Sequence, residues 1–151
     1  MTPVAVARRA PNGLAAVLLA VGVGACSGVD TGSNAGARGG LACVDDSKQC
    51  IERRSAALRS IMGDRERRWV KEPATPEAYA SGVRLFAFKE RKKELTCEEL
   101  AIGRREADAA PLALRGPAGA RLTPAQVSRG VLLGSEVSRE LTAELKRRCN
   151  V

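Results

Sequence analysis

The sequence predicts an all-α domain, a small bundle of three or four helices stapled by disulfides, which follows a signal peptide and a flexible tether. Apolar residues recur at intervals of three and four, and Ser or Thr residues able to cap a helix precede these stretches. No segment has the alternating pattern or the density of β-branched residues typical of strands. We expect a signal peptide at 1–25, a tether at 26–40 and the helical domain at 41–151.

The N-terminal segment has the three parts of a secretory signal peptide. Arg8 and Arg9 supply positive charge, an apolar run covers residues 14–23, and small residues precede Cys26. An apolar run of about ten residues is too short to cross a hydrocarbon core about 30 Å thick as a stable helix. We therefore expect this segment to be removed after it directs export from the cytoplasm.

The motif Val23-Gly24-Ala25-Cys26 resembles the lipobox of bacterial lipoprotein precursors, in which the cysteine receives a diacylglyceryl group and becomes an acylated N-terminus. The resemblance implies a membrane anchor at Cys26, because two or three acyl chains hold a protein durably whereas one does not. Ser27 rather than aspartate favours the outer membrane over the inner, with the domain facing the periplasm. The alternative is an ordinary signal-peptidase site beside an unmodified Cys26.

The segment 26–40 is rich in Gly, Ser, Ala and Asn, which predicts a flexible coil. Its root-mean-square reach is about 20 Å by the relation for Gly-rich chains, enough to hold a small domain just off a membrane. A disordered terminus without a spacing role is the plainer interpretation.

Four cysteines follow Cys26, namely Cys43, Cys50, Cys97 and Cys149, and an even number in an exported chain favours disulfides because the periplasm is oxidising. Three pairings are possible. In one of them Cys43 and Cys50 close a small loop, and Cys97 and Cys149 join the start of one helix to the end of another. Metal binding is disfavoured, because the chain has no histidine and no CxxC spacing.

The first helix is expected to begin at Asp46 or Ser47, both good N-caps, and to run to about Val70. Gly63 weakens its middle by about 1 kcal/mol relative to alanine. Five apolar residues share one face, which we expect in the core: Ile51, Leu58, Ile61, Met62 and Trp69.

The second helix is expected to begin after Thr75, with Pro76 in its first position and Glu77 near the positive end of the helix dipole. The charged stretch 89–94 then interrupts the apolar pattern, so we expect a break near Leu95. One face of this helix carries Tyr79, Val83 and Phe86, and another carries Phe88.

A capping box of Thr96 and Glu99 predicts a third helix, which is expected to end before Pro111 and to be followed by a Gly/Pro-rich loop. Thr123, followed by a proline, predicts the last helix, which should run to about Cys149 with cations in its final turn. Its apolar positions are Val127, Val131, Leu132, Val137, Leu141 and Leu145.

The residues that could carry chemistry do not form a catalytic pattern. Without histidine, the Ser/His and Cys/His arrangements are excluded. The paired carboxylates Asp45-Asp46 and Glu98-Glu99 point to different sides of a helix or lie at its cap, and the glycine-rich stretches lack the context of a phosphate-binding loop. We therefore expect a protein that is not an enzyme and that needs no cofactor or metal.

The chain is basic, with 25 Lys and Arg against 17 Asp and Glu, so its cations could contact anionic glycan or lipid of the envelope. A solvated helix surface is the alternative, because glutamates are interleaved. Nucleic acid is not expected, since export separates the chain from it. The candidate anion-binding residues are Arg65, Arg67, Arg68 and Lys71, then Lys89, Arg91, Lys92 and Lys93, with a further basic group at Lys146, Arg147 and Arg148.

The few aromatic residues suggest another mode of binding. If Trp69 or Phe88 were exposed, it would be an anchor for a protein partner, and otherwise all four aromatic residues build the core. Two functional hypotheses follow: the domain binds an envelope protein in a structural or accessory role, or it binds an anionic glycan or lipid.

Three stretches, CVDDSKQCI at 43–51, RRWV at 67–70 and the region 76–111, resemble small exported lipoproteins of uncharacterised role from alphaproteobacteria. Some of these carry a label of glucan biosynthesis. The resemblance implies an accessory role in envelope polysaccharide biology, and it implies no catalytic residue for this chain.

Overall fold

The computed structural model describes residues 39–149, so the expected signal peptide, the lipidation site Cys26 and nearly all of the tether lie outside the described residues. Across this range the chain is helical and contains no strand, which confirms the predicted all-α fold. None of the described helices is both long enough and apolar enough to cross a membrane. The α-helices that lie wholly within this range are α1 (Lys48–Gly63), α2 (Pro76–Ser81), α3 (Val83–Arg91), α4 (Cys97–Arg115) and α5 (Pro124–Arg148), and two 3₁₀ helices span Arg68–Lys71 and Pro117–Gly119.

The four predicted helix starts are confirmed by their caps. In each, the side-chain oxygen of the N-cap accepts a hydrogen bond from the backbone N–H three residues on, and such a bond contributes about 1 kcal/mol. In α4 and α5 the third residue bonds back to the cap, which completes a capping box. The N-caps are Ser47, Thr75, Thr96 and Thr123.

The first helix ends at Gly63, so the prediction that it continues to Val70 is wrong. The carboxylate of Asp64 accepts hydrogen bonds from the backbone N–H groups of Glu66 and Arg68. An aspartate that bonds its own backbone in this way competes with the helix, and the preceding glycine makes the helix easier to stop. A tight turn and a short 3₁₀ helix replace the expected helical turns.

The predicted second helix is divided at Gly82, whose φ of 75° lies in the left-handed region that favours glycine. This break rotates the helix that follows it. Phe86 is 39% exposed, so its expected place in the core beside Tyr79 is wrong. Phe88 is fully buried instead, with its ring centroid 4.6 Å from that of Trp69.

Three further residues that we expected in the core are exposed: Ile51 by 48%, Met62 by 39% and Leu132 by 71%. The core face of α1 is set by buried residues such as Ile61. Ile51 and Met62 directly follow the buried residues Cys50 and Ile61, so each lies about 100° around the helix from that core face. Leu132 is two residues from the buried Gly134, which places it on the opposite side of α5.

The helix α4 continues through Pro111 to Arg115, so its predicted end before the proline is wrong. A proline inside a helix is unfavourable by about 3 kcal/mol, but the last turn of α4 brings Leu114 into the core, where it is 1% exposed. Gly134 of α5 lies against this part of α4. A Cβ atom there would be 3.0 Å from the Cβ of Ala110, so glycine permits the close approach.

Two disulfides are present in the described residues, one between Cys43 and Cys50 and the other between Cys97 and Cys149. The Cα atoms are 5.4 Å apart in the first pair and 5.8 Å in the second, within the usual range. The second bridge connects the first residue of α4 to the C-cap of α5. It therefore closes the end of the antiparallel α4–α5 pair opposite the connecting loop, which confirms the prediction of a disulfide-stapled bundle.

A buried ion pair connects α3 to α4. The guanidinium of Arg84, 2% exposed, donates to both carboxylate oxygens of Glu106 at 2.9 and 2.6 Å. It also donates to the backbone carbonyls of Trp69 at 2.6 Å and Glu72 at 2.8 Å. The bond to the carbonyl of Trp69 is buried and the other three are partly buried, so the pair fixes the position of the 3₁₀ segment against the bundle.

Candidate functional site

The first basic group lies around the connection between α1 and α2. Arg67 donates to the carboxylate of Glu99 at 2.8 Å. Nε of Arg68 lies 3.6 Å from the carboxylate of Glu66 and 3.9 Å from that of Asp64. Arg65 and Lys71 are exposed. Half of this group is therefore already paired with acidic side chains of the same chain.

The second basic group lies between α3 and α5. Lys89 and Lys92 both form ion pairs with Glu140. Arg91 is 8% exposed and donates to the backbone carbonyl of Asp64 at 3.0 Å, which brings the two basic groups next to each other. Lys93 is exposed. Binding of an anionic partner by these eight residues stays a prediction, and their internal pairing weakens the net positive field that it needs.

Two of the three residues of the third basic group, Arg147 and Arg148, are also paired. Arg147 and Arg148 both bond to the carboxylate of Glu144. Arg148 in addition donates to the carbonyls of Lys92, Lys93 and Leu95, where the chain turns between α3 and α4. These contacts give Arg148 a structural role at the end of the α4–α5 pair.

Acid should destabilise the protein, because several of these carboxylates are held in their charged form. The hydrogen bond from Lys92 lowers the pKa of Glu140, and the hydrogen bond from Arg147 lowers the pKa of Glu144. A carboxyl whose pKa is lower in the folded state contributes stability above its unfolded pKa, about 4.3 for Glu, and loses it as the pH falls through the folded value. We expect the urea midpoint to fall below about pH 4.5 and to stay constant between about pH 6 and pH 8, since the chain has no histidine.

The control is a Glu140→Gln/Glu144→Gln double variant, which should lose less stability in acid than the wild type does. A urea midpoint that rises on acidification, or that changes between about pH 6 and pH 8, would contradict this assignment.

A concave apolar surface, which we call the Phe86 groove, lies between α1, the α2–α3 junction and α5. Its volume is about 320 Å³, at the lower end of the range of small binding clefts. Phe86 is the exposed aromatic residue of this surface. The other apolar side chains that line it are Leu58, Ala80, Val83 and Leu133.

The shape of the Phe86 groove depends on two glycines, Gly130 and Gly82. A Cβ atom on Gly130 of α5 would lie 3.0 Å from the backbone oxygen of Tyr79 and 3.3 Å from Cα of Ala80, so this glycine lets α5 approach α2 closely. Gly82 provides the break, with its φ of 75°, and the backbone N–H of Phe86 donates to its carbonyl at 2.9 Å, which starts α3 immediately after the break. Gly130 therefore explains the close packing, and Gly82 explains the outward direction of Phe86.

Two arginines line the Phe86 groove, Arg54 on α1 and Arg129 on α5. Both are held by the loop that the Cys43–Cys50 disulfide closes. Arg54 donates to the carbonyl of Asp45 at 2.6 Å. Arg129 donates to the carbonyl of Val44 at 2.9 Å and to the carboxylate of Asp46 at 2.8 Å. The loop thus fixes both guanidinium groups beside the apolar surface.

A larger depression of about 550 Å³ lies at the loop between α4 and α5. Its lining consists mainly of loop residues from Gly116 to Leu122, with no aromatic side chain among them. It lacks the combination of an exposed aromatic group and fixed charged groups that the Phe86 groove has.

One group of potential metal ligands is present in the described range: the ligand atoms of Cys43, Asp45 and Cys50 lie within 4.8 Å of one another. Both sulfur atoms belong to the disulfide, however, and a disulfide sulfur is not a thiolate ligand. These three residues are therefore close together because the disulfide closes the loop, and they do not form a metal site as they stand.

Trp69 and Phe88, which would have been anchors only if exposed, are buried, at 5% and 0% exposure. The alternative that all four aromatic residues build the core is wrong for Phe86 alone, which is 39% exposed. The apolar pattern of the sequence predicts Phe86 in the core, and no motif distinguishes Arg54, Arg129 or the loop that holds them. The available signal was Gly82, which can interrupt a helix and change the face on which later residues lie.

Comparison with known proteins provides no family: no protein-family model, no curated protein and no solved structure matches the chain. The resemblance to small alphaproteobacterial lipoproteins rests on the quoted residues alone. Function is therefore inferred from the geometry of the Phe86 groove and from the N-terminal sequence.

Proposed function

We propose that this protein is a cell-envelope lipoprotein, anchored through Cys26, whose helical domain binds a protein partner at the Phe86 groove in a structural or accessory role. The observation that carries the proposal is the 39% exposure of Phe86 within a concave apolar surface. Aromatic anchors that fill or form pockets dominate the energy of many protein interfaces.

The apolar surface extends beyond the groove along α1. Ile51 lies seven residues before Leu58 and Met62 lies four residues after it, so all three share one flank of the helix. Both outer residues are exposed, by 48% and 39%. An elongated apolar strip beside a groove suits an amphipathic helix, which inserts side chains spaced by three, four and seven residues.

The alternative partner is an anionic glycan or lipid, in line with the resemblance to proteins labelled as glucan biosynthesis. The structure supports it less well, because Arg67, Arg68, Lys89, Arg91 and Lys92 are paired with carboxylates of this chain. A polyanion would have to compete with those carboxylates at each position.

Site-specific photocrosslinking tests the proposal. A benzophenone amino acid replaces Phe86 in the full-length precursor, expressed in a host that processes lipoproteins, and cells are irradiated. We expect a discrete protein adduct in the membrane fraction. The matched control replaces Leu132, which is 71% exposed but lies outside the groove, and it should yield no such adduct.

Two outcomes would contradict protein binding at the groove. One is the same pattern of adducts from positions 86 and 132, which would indicate unspecific proximity. The other is an adduct at position 86 that consists of lipid or glycan, which would support the alternative partner.

A further inference from the structure

We propose that the Phe86 groove selects a protein segment that carries a carboxylate beside a large apolar side chain, and that Asp46 occupies the place of that carboxylate in the free protein. This inference rests on the proposed function, because it defines the chemistry of the partner that binds at the same groove. It follows from the charges, contacts and exposure of three residues: Arg54, Arg129 and Asp46.

The groove has positive charge and an apolar surface side by side. Two of the residues that line it are arginines, and none of its described lining residues is acidic. Arg54 belongs to α1 and Arg129 to α5. The complementary ligand therefore combines an apolar group with negative charge.

The carboxylate of Asp46 already bonds to this pair of arginines. Its Oδ1 atom accepts from Nη1 of Arg129 at 2.8 Å and lies 3.5 Å from Nη2 of Arg54. The hydrogen bond from Arg129 also lowers the pKa of Asp46, so the group is ionised at neutral pH. The neighbouring Asp45 differs, since its carboxylate caps the backbone N–H of Ser47.

Asp46 is easily displaced. Its side chain is 71% exposed, and in the described part of the chain its carboxylate has hydrogen bonds from these arginines alone. Exposed ion pairs contribute little to stability because water and salt screen them. A carboxylate on a partner segment would bind more favourably, because the apolar side chain beside it would be buried in the groove at the same time.

The arginines keep their positions when Asp46 leaves. Arg54 also donates to the carbonyls of Cys43 and Asp45, and Arg129 also donates to the carbonyl of Val44. Because these backbone contacts hold the guanidinium groups in place, an incoming carboxylate orders few side chains on binding. Arg129 has five N–H donors and uses two of them within the described structure, so donors remain for a bidentate contact.

The test uses the full mature chain, purified in detergent with its disulfides intact, to select from a display library of random twelve-residue peptides. We expect the enriched peptides to place Asp or Glu within four positions of an aromatic or aliphatic residue. The tightest peptide is then synthesised, and its Kd is measured by fluorescence anisotropy for the wild type and for four variants. Circular dichroism establishes that each variant is folded.

The variants have effects of opposite sign, which separates binding from general damage. Arg129→Gln should raise the Kd of the peptide about tenfold, because a charge-assisted contact is lost. Asp46→Asn should lower the Kd about threefold, because the competing carboxylate is removed. Phe86→Ala should abolish binding. The control Arg59→Gln, which changes an exposed arginine of α1 outside the groove, should leave the Kd unchanged.

The failures of the two proposals are distinguishable. If Phe86→Ala abolishes binding but Arg129→Gln and Asp46→Asn do not change the Kd, the selection of a carboxylate is wrong and protein binding at the groove stands. If Arg129→Gln weakens binding and Asp46→Asn does not strengthen it, the role of Asp46 is wrong. If no selected peptide is sensitive to Phe86→Ala, both proposals fail.

Discussion

The substitution Glu106→Leu should lower the free energy of unfolding by about 3–5 kcal/mol, because it leaves the guanidinium of Arg84 buried without a counter-charge. Arg84 is 2% exposed, and the side chain of Glu106 is 8% exposed. Urea denaturation followed by circular dichroism measures the loss. A matched control, Glu90→Leu, changes an exposed glutamate of α3 and should alter stability by less than about 0.5 kcal/mol.

The double variant Arg84→Met/Glu106→Leu separates the ion pair from simple packing. Replacing both members of a buried pair by apolar residues of similar volume is often neutral. We expect the double variant to recover most of the stability lost in Glu106→Leu, although the carbonyl of Trp69 loses its donor. A Glu106→Leu protein within about 1 kcal/mol of the wild type would contradict the buried pair.

Loss of the Cys97–Cys149 disulfide should lower the free energy of unfolding by about 4 kcal/mol in the chain-entropy model, because the bridge spans 52 residues. The Cys43–Cys50 bridge spans 7 residues and should contribute about 2.5 kcal/mol by the same relation. The comparison uses two double variants, Cys97→Ala/Cys149→Ala and Cys43→Ala/Cys50→Ala, in urea without reductant.

The order of the two effects is the decisive result for the disulfides. Equal losses, or a larger loss for the short loop, would show that native packing around the bridges outweighs the entropy of the unfolded chain. The Cys43→Ala/Cys50→Ala variant should also weaken peptides bound at the Phe86 groove, since its loop holds Arg54 and Arg129.

Features that depend on neighbouring residues were predicted from the sequence. The caps at Ser47, Thr75, Thr96 and Thr123 each involve groups within three residues of one another, so the residue types alone identify them. The disulfides were predicted from the even number of cysteines that follow Cys26 in a chain that we expect to be exported.

Features that depend on the competition between local and tertiary contacts were not predicted. Pro111 is an unfavourable residue inside α4, yet the helix continues past it and places Leu114 in the core. Gly82 does end a helix, and that single break changes which aromatic residue is exposed. Arg84 and Glu106 are 22 residues apart in the sequence. Charged residues of these types usually lie on the surface, so nothing in the sequence marks them as a buried pair.

The candidate site was the least predictable part. Arg54, Phe86 and Arg129 are distant in sequence, and the apolar pattern assigned Phe86 to the core. The groove depends on the close approach of α5 to α2 at Gly130, and no short motif encodes that packing. The role of Asp46 emerges only after both arginines are placed.

We propose that a lipid anchor at Cys26 holds the domain and its groove in the cell envelope. The most direct measurement is the intact mass of the protein purified without reductant from membranes of a lipoprotein-processing host, beside a Cys26→Ser variant. If Cys26 is the anchor, the chain begins at Cys26, is heavier by two or three acyl groups and is lighter by the four hydrogens lost in two disulfides. A soluble wild-type product without lipid would contradict it.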